Sequence, residues 1–124
     1  MRFIMMVKSA ERSVAPPKEL LDATAKLAAE AMKAGEMIET GGLGPTAASS
    51  RVRLAGGKIA VTDGPFTEAK EVFGGYAIFE LKSKEEAIAR SSSFLELHHK
   101  HWPAWEGEIE IRQVFAPPPF PAKG

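Results

Sequence analysis

The sequence predicts an α+β domain, and three observations predict it. The N-terminal run Phe3 to Val7 is apolar without a break. Two later segments carry apolar residues at helical spacing, and each is followed by a strand-like run. Between them lies a pair of alternating runs joined by Gly56-Gly57, the pattern of a β-hairpin.

Phe3 to Val7 read as a strand that is dry on both faces. A single layer of helices covers one face only, so the other face calls for a second sheet, from this chain or a partner. Pro16 and Pro17 open the first helix, where a missing N–H costs nothing. Its inner face is Leu20, Thr24, Leu27, Ala28 and Ala31, with Leu21 and Met32 at the edge. Ala34-Gly35 stops it. Met37-Ile38 begin a second strand that ends at Gly41-Gly42, before a Leu43-Gly44-Pro45 loop.

In the hairpin, Val52 and Leu54 alternate with Arg51 and Arg53, and Ile59-Ala60-Val61 returns. Asp63-Gly64-Pro65-Phe66 then breaks the strand. A charged connection leads to Phe73-Gly74-Gly75 and a strand from Tyr76 to Leu81. Ser83-Lys84-Glu85-Glu86 fits a capping box, in which serine and glutamate satisfy two orphan backbone donors reciprocally. The helix it starts places Ala87, Ile88, Ser91, Phe94 and Leu95 along one side, and His98 continues that side. Glu108 to Phe115 form the last strand, with Ile109 and Ile111 on one face and Glu110 and Arg112 on the other.

The order is therefore βαβ, hairpin, βαβ: a ferredoxin-like βαββαβ plan with an inserted β-hairpin. Both helices lie on one face of the sheet. Burying the bare face against a second copy answers the demand made by the first strand, so a homodimer is expected. Residues 1–116 are expected to form this single domain, and 117–124 an extended, proline-rich tail built on Pro117, Pro118, Pro119 and Pro121.

Composition narrows the function. At 124 residues the chain holds one compact domain, and with no cysteine it has no disulfide, thiolate nucleophile or Cys-based metal site. Lys plus Arg (16) equal Asp plus Glu (16), which argues against direct nucleic-acid binding. The apolar N-terminus is too short for a signal sequence, and no segment approaches the roughly 20 apolar residues of a membrane span. A cytoplasmic protein with no membrane contact is expected.

The segment Asp63-Gly64-Pro65-Phe66-Thr67-Glu68-Ala69-Lys70-Glu71, followed by Gly74-Gly75-Tyr76, resembles the signature of YCII-related proteins of the DGPF type. Ile109-Glu110-Ile111-Arg112-Gln113-Val114 is similar to that family's final strand, and the early apolar strand and Gly41-Gly42-Leu43 fit as well. The resemblance spans nearly the whole chain, excluding the tail. It implies a dimeric α/β barrel with a cleft between sheet and loops. Some relatives are linked to extracytoplasmic-function sigma factors, and distant ones act in aromatic ring degradation through a His–Asp pair. This chain has no histidine in its first half, so an early catalytic histidine has no counterpart.

The candidate catalytic residues are Asp63, His98 and Tyr76. Asp63 ends a strand and opens the signature, where a carboxylate would orient a base or take a proton. The plainer reading is a side chain that caps the Gly64-Pro65 turn. His98, with His99 and His101, offers acid–base chemistry near neutral pH; the alternative is a polar helix end. Their spacing lacks the carboxylate offset of a diagnostic metal motif, so no metal is assigned and the cofactor is left unknown. Tyr76 would line the cleft through its hydroxyl, or serve as a core tyrosine.

Arg51, Arg53 and Arg112 are the candidate substrate-binding residues, suited to a carboxylate, against a plainer reading as a solvated face or an ion pair with Glu110. Gly41-Gly42-Leu43-Gly44-Pro45 lacks the lysine of a phosphate loop, and no Gly-x-Ser-x-Gly element is present. Three functions follow. The first is a small-molecule enzyme or binder with an acid–base site in the barrel cleft. The second is a non-catalytic regulatory dimer tied to sigma-factor-dependent transcription, with the tail as a segment for a protein partner. The third and weakest is an aromatic-ring monooxygenase, for which Trp102 and Trp105 alone are poor support.

Overall fold

A computed structural model describes residues 1–12 and 14–116; the proline-rich stretch expected to form a tail lies outside the described residues. The elements are β1 (Arg2–Ser9), α1 (Lys18–Lys33), β2 (Met37–Gly42), a 3₁₀ turn (Thr46–Ala48), β3 (Ser50–Ala55), β4 (Lys58–Asp63), β5 (Val72–Glu80), α2 (Lys84–His101) and β6 (Gly107–Val114). Four strands form an antiparallel sheet in the order β2-β5-β1-β6, and among the described residues β3 and β4 pair only with each other. This is the ferredoxin-like α+β arrangement, with the hairpin inserted between the plan's second and third strands.

Register explains the core. Phe3 stands opposite Phe79, and Met5 opposite both Ala77 and Ile111. These side chains face the helices. Phe3, Met5, Phe79, Leu81 and Ala87 make up the buried cluster, bordered by Ala31, Met37, Ala77, Ile109 and Ile111. Each large side chain removed from water here contributes about 1.5–3 kcal/mol. Ile4 opposite Ile78 and Met6 opposite Tyr76 occupy the sheet's other face, where they are half-buried.

The first helix buries Leu20 and half-buries Thr24, Leu27, Ala28 and Ala31, while Leu21 and Met32 stay exposed at its edge. The second buries Ala87, Ser91 and His98. Ile88, grouped with that face in the sequence, is exposed. It follows Ala87 by one residue and is therefore turned about 100° away. At the start of α2 the Ser83 hydroxyl accepts from the Glu86 N–H at 3.2 Å. The reciprocal bond runs from the Lys82 N–H to Glu86 Oε2 at 2.9 Å, one residue earlier than a standard capping box places it.

Strand β5 begins at Val72, not at Tyr76. Gly74 and Gly75 hide the strand from propensity, and pairing with β1 and β2 overrides that weakness. Hairpin β3–β4 turns through Gly56 and Gly57, both at positive φ (59° and 74°). Every residue of its two strands is exposed. Among the described residues no helix is long and apolar enough to cross a membrane.

Candidate functional site

A cleft of about 800 Å³ lies between the helix layer and the sheet. That volume falls in the range of small-molecule sites, roughly 300–1,000 Å³. It exists because small residues face each other across the layers: Ala28 and Ala31 on α1, Ser91 on α2, Gly75 and Ala77 on β5. Much of the rest of its wall is apolar and aromatic, with Met5, Leu27, Phe79, Phe94, Trp102 and Trp105.

His98 enters this cleft from the last turn of α2. The spacing Ala87, Ser91, Phe94, His98 keeps one helix face inward, and His98 is only 9% exposed. Its Nδ1 lies 3.0 Å from the Phe94 carbonyl oxygen. A carbonyl can only accept, so Nδ1 carries the proton. Burial pushes the His98 pKa down, and the bond to the Phe94 carbonyl opposes that in part. The ring is therefore a neutral imidazole whose Nε2 holds a lone pair.

Aromatic rings hold the imidazole on two sides, Phe94 at 4.6 Å and Trp105 at 4.4 Å between centroids. The chain reverses after α2, where the Trp105 N–H donates to the Trp102 carbonyl at 2.9 Å. Gly107 makes room for the returning ring, since a Cβ there would collide with Trp105 and with the Lys8 carbonyl. The glycine is thus part of what sets Trp105 against His98.

Two further polar features border the cleft. Arg90 donates through Nε and Nη2 to the two oxygens of Glu36, at 2.8 and 2.7 Å, joining α2 to the start of β2. This fork holds the Glu36 carboxyl below its usual range and the Arg90 guanidinium above its own. Ser91 is 6% exposed, and among the described residues its Oγ has no hydrogen-bond partner. Its exposed neighbours differ: Ser92 and Ser93 donate to carbonyls four residues back, at 2.8 and 3.1 Å.

Of the residues singled out in the sequence, His98 and Tyr76 border the cleft, and Asp63, Arg51, Arg53 and Arg112 do not. Tyr76 alternates with Ala77 and so turns its ring to the sheet's other face, where its hydroxyl donates to Glu39. That bond, with some burial, raises the phenol pKa. Arg51 stacks on Phe66, 3.7 Å from the ring centroid, and pairs with Glu68. Arg53 projects from the exposed hairpin, and Arg112 lies 3.8 Å from Glu110 on the sheet's other face. His99 is exposed, and among the described residues no three His, Cys, Asp or Glu side chains are grouped to hold a metal.

Asp63 sits exposed at the end of β4, accepting from the Ser50 hydroxyl at 2.7 Å. Behind it the signature forms a clasp. Thr46 is 7% exposed and donates to both oxygens of Glu11, from its N–H at 2.6 Å and its hydroxyl at 2.5 Å. The same hydroxyl accepts from the Phe66 N–H at 3.2 Å, and the Gly64 N–H donates to the Ser49 carbonyl at 2.8 Å. A Cβ on Gly64 would overlap the Thr46 carbonyl, so only glycine fits. The Thr46 hydroxyl and N–H hold the Glu11 carboxyl below its usual range.

Sequence reasoning placed Ser91 on the inward helix face and noted Trp105, but gave neither a role in the cleft, and it did not single out Gly107 or the Glu36–Arg90 fork. The fork joins residues 54 apart, and no local pattern announces it. The run of small residues on the two helix faces was the available signal for a cleft. Residues 1–116 match the family model of the YCII-related domain. No curated protein matches the chain.

Proposed function

The chain belongs to the YCII-related family, and we propose that it binds a small, largely apolar molecule in the cleft, where His98 serves as the acid–base group. One observation carries this reading: a buried imidazole whose Nδ1–H is committed to a backbone carbonyl, leaving Nε2 to face other chemistry. Such a group takes a proton from an acidic C–H or O–H and returns it in a later step. The lowered pKa keeps it in the basic form near neutral pH. Phe94 and Trp105 restrict its orientation.

The same proposal includes a cytoplasmic homodimer with a DGPF-type signature. The half-buried Ile4, Met6 and Ile78 on the sheet's uncovered face support the dimer. Asp63 and the arginines then act outside the cleft of their own chain, at the clasp and on exposed faces. A second reading, a non-catalytic dimer that contacts a protein partner, draws support from the exposed apolar side of the hairpin: Val52, Leu54, Ile59 and Val61.

The test is a thermal-shift screen of small neutral and aromatic compounds, with hits repeated on His98→Gln and Asp63→Asn. The proposal expects turnover of any converted hit to be lost in His98→Gln and kept in Asp63→Asn. The opposite pattern would contradict it.

A further inference from the structure

The cleft is long for its width. Along α2 its wall runs from Arg90 through Ser91, Phe94 and His98 to Trp102, about 18 Å at the helical rise per residue. Along α1 it runs from Leu20 to Ala31, about 17 Å by the same measure. The strands before these helices, β1 and β5, are antiparallel, so the helices run in opposite directions and bound one groove side by side. A volume of about 800 Å³ spread over that length makes a channel roughly 8 Å across. A compact ring meets only part of such a wall. An extended chain stays in contact along it and buries more apolar surface.

The polar groups are unevenly placed. The charged residues that line the cleft, Glu30, Glu36 and Arg90, belong to the end where α1 finishes and β2 begins. From Phe94 to Trp102 the α2 wall carries no charge, because burial favours the neutral form of His98. That histidine supplies an acceptor. Among the described residues, Ser91 Oγ is the one fully buried side-chain nitrogen or oxygen without a hydrogen-bond partner. His98 Nε2 lacks a partner too, so it is not sealed and keeps surface open to an incoming group. A lone pair on a neutral nitrogen calls for a donor.

We propose that the cleft takes an unbranched alkyl chain with a hydrogen-bond-donating head, the head on His98 Nε2 and the chain laid between α1 and α2 toward Arg90. Those two residues are separated by about 12 Å along the helix, and an extended chain advances about 1.2 Å per bond, so about ten carbons fit. This rests on the cleft being the ligand site and adds the class of ligand.

The test is a titration of the full chain with 1-alkanols from butanol to dodecanol. The indole N–H resonances of Trp102 and Trp105, the chain's two tryptophans, report cleft occupancy. Affinity should rise about three- to fourfold per methylene and level off at about ten carbons. Ala31→Leu narrows the far end, so the levelling should move to about seven carbons and leave butanol unchanged. Ala28→Leu, in the middle of the same wall, repeats the test if Ala31→Leu does not fold. 1-Decanol should bind about fivefold tighter than decyl methyl ether, which has no donor, and His98→Phe should abolish that difference. An alkanol series without a break, a break that neither alanine variant moves, or a difference between decanol and its ether that survives in His98→Phe overturns the proposal. Binding of the compact 1-adamantanol as tightly as 1-decanol, with the indoles shifted, overturns the ligand class while leaving the cleft as the site. Failure of every probe to move the indole signals overturns both.

Discussion

The helix-covered sheet and the β3–β4 hairpin are built from the same kinds of residue and treat them in opposite ways. In the sheet, Phe3, Met5 and Phe79 are 3–6% exposed. In the hairpin, Val52 faces Val61 and Leu54 faces Ile59, and these four are 65–72% exposed. The sheet has two helices to bury its apolar face, whereas among the described residues none buries Val52, Leu54, Ile59 or Val61. The chain's distinctive motif lies with the exposed arm, because Asp63 to Phe66 fasten the base of the hairpin to Thr46 and Glu11. The buried imidazole and the cleft lie in the body. The motif and the candidate site are thus separate features here. The motif is held by a backbone constraint at Gly64, and the cleft depends on what small residues leave open.

Breaking the clasp should have the largest effect. Gly64→Ala forces a methyl group into the Thr46 carbonyl, and the rearrangement should cost about 3 kcal/mol. Urea unfolding measures the cost, and hydrogen exchange should show amides near Thr46 and Phe66 opening before those of β1 and β5. Loss of protection in β1 and β5 first would mean that the two regions are not separable.

A change of pH should act on the body in a defined window. The His98 pKa is lowered on folding, so the unfolded chain binds the proton more readily. The contribution of His98 to stability is complete above the ordinary histidine pKa of about 6.5 and is lost as pH falls from there through the folded value. Glu36, also lowered on folding, loses its contribution at more acid pH, below the ordinary carboxylate range. Melting temperatures measured from pH 7.5 to 5 should fall in the wild type and fall less in His98→Gln. Parallel curves would show that burial does not govern this histidine.

The smallest effect on the single chain should come from the hairpin's apolar side. Leu54→Ser removes an exposed side chain and should change the unfolding free energy by no more than about 0.5 kcal/mol. Analytical ultracentrifugation of the same variant sharpens the contrast. If the arm contributes to the homodimer, association weakens although folding does not, and unchanged association would exclude the arm from that interface.

Much of the scaffold was legible because local rules and tertiary packing agreed. The inner face of α1, the Gly56-Gly57 turn and the Ser83 cap all follow from short-range chemistry. Strand β5 was read four residues short because glycine removes the propensity signal while its backbone still pairs. Ile88 was misplaced because apolarity alone does not fix an angle around a helix. His98 could be read as inward from its spacing. The cleft around it could not, since it depends on Ala28, Ala31, Ser91 and Ala77 meeting across layers. Asp63 drew notice through its motif, whereas its nearest partner, Ser50 across the hairpin, becomes apparent only when the strands are in register.

The central claim is that small-molecule chemistry belongs to the body and not to the arm. Nitrogen-15 NMR mapping with 1-decanol tests it most directly. The account predicts shifts at His98 and at the Trp102 and Trp105 indoles, with the signals of Arg51 to Asp63 unmoved. Shifts confined to the hairpin and its clasp, with the cleft silent, would contradict it.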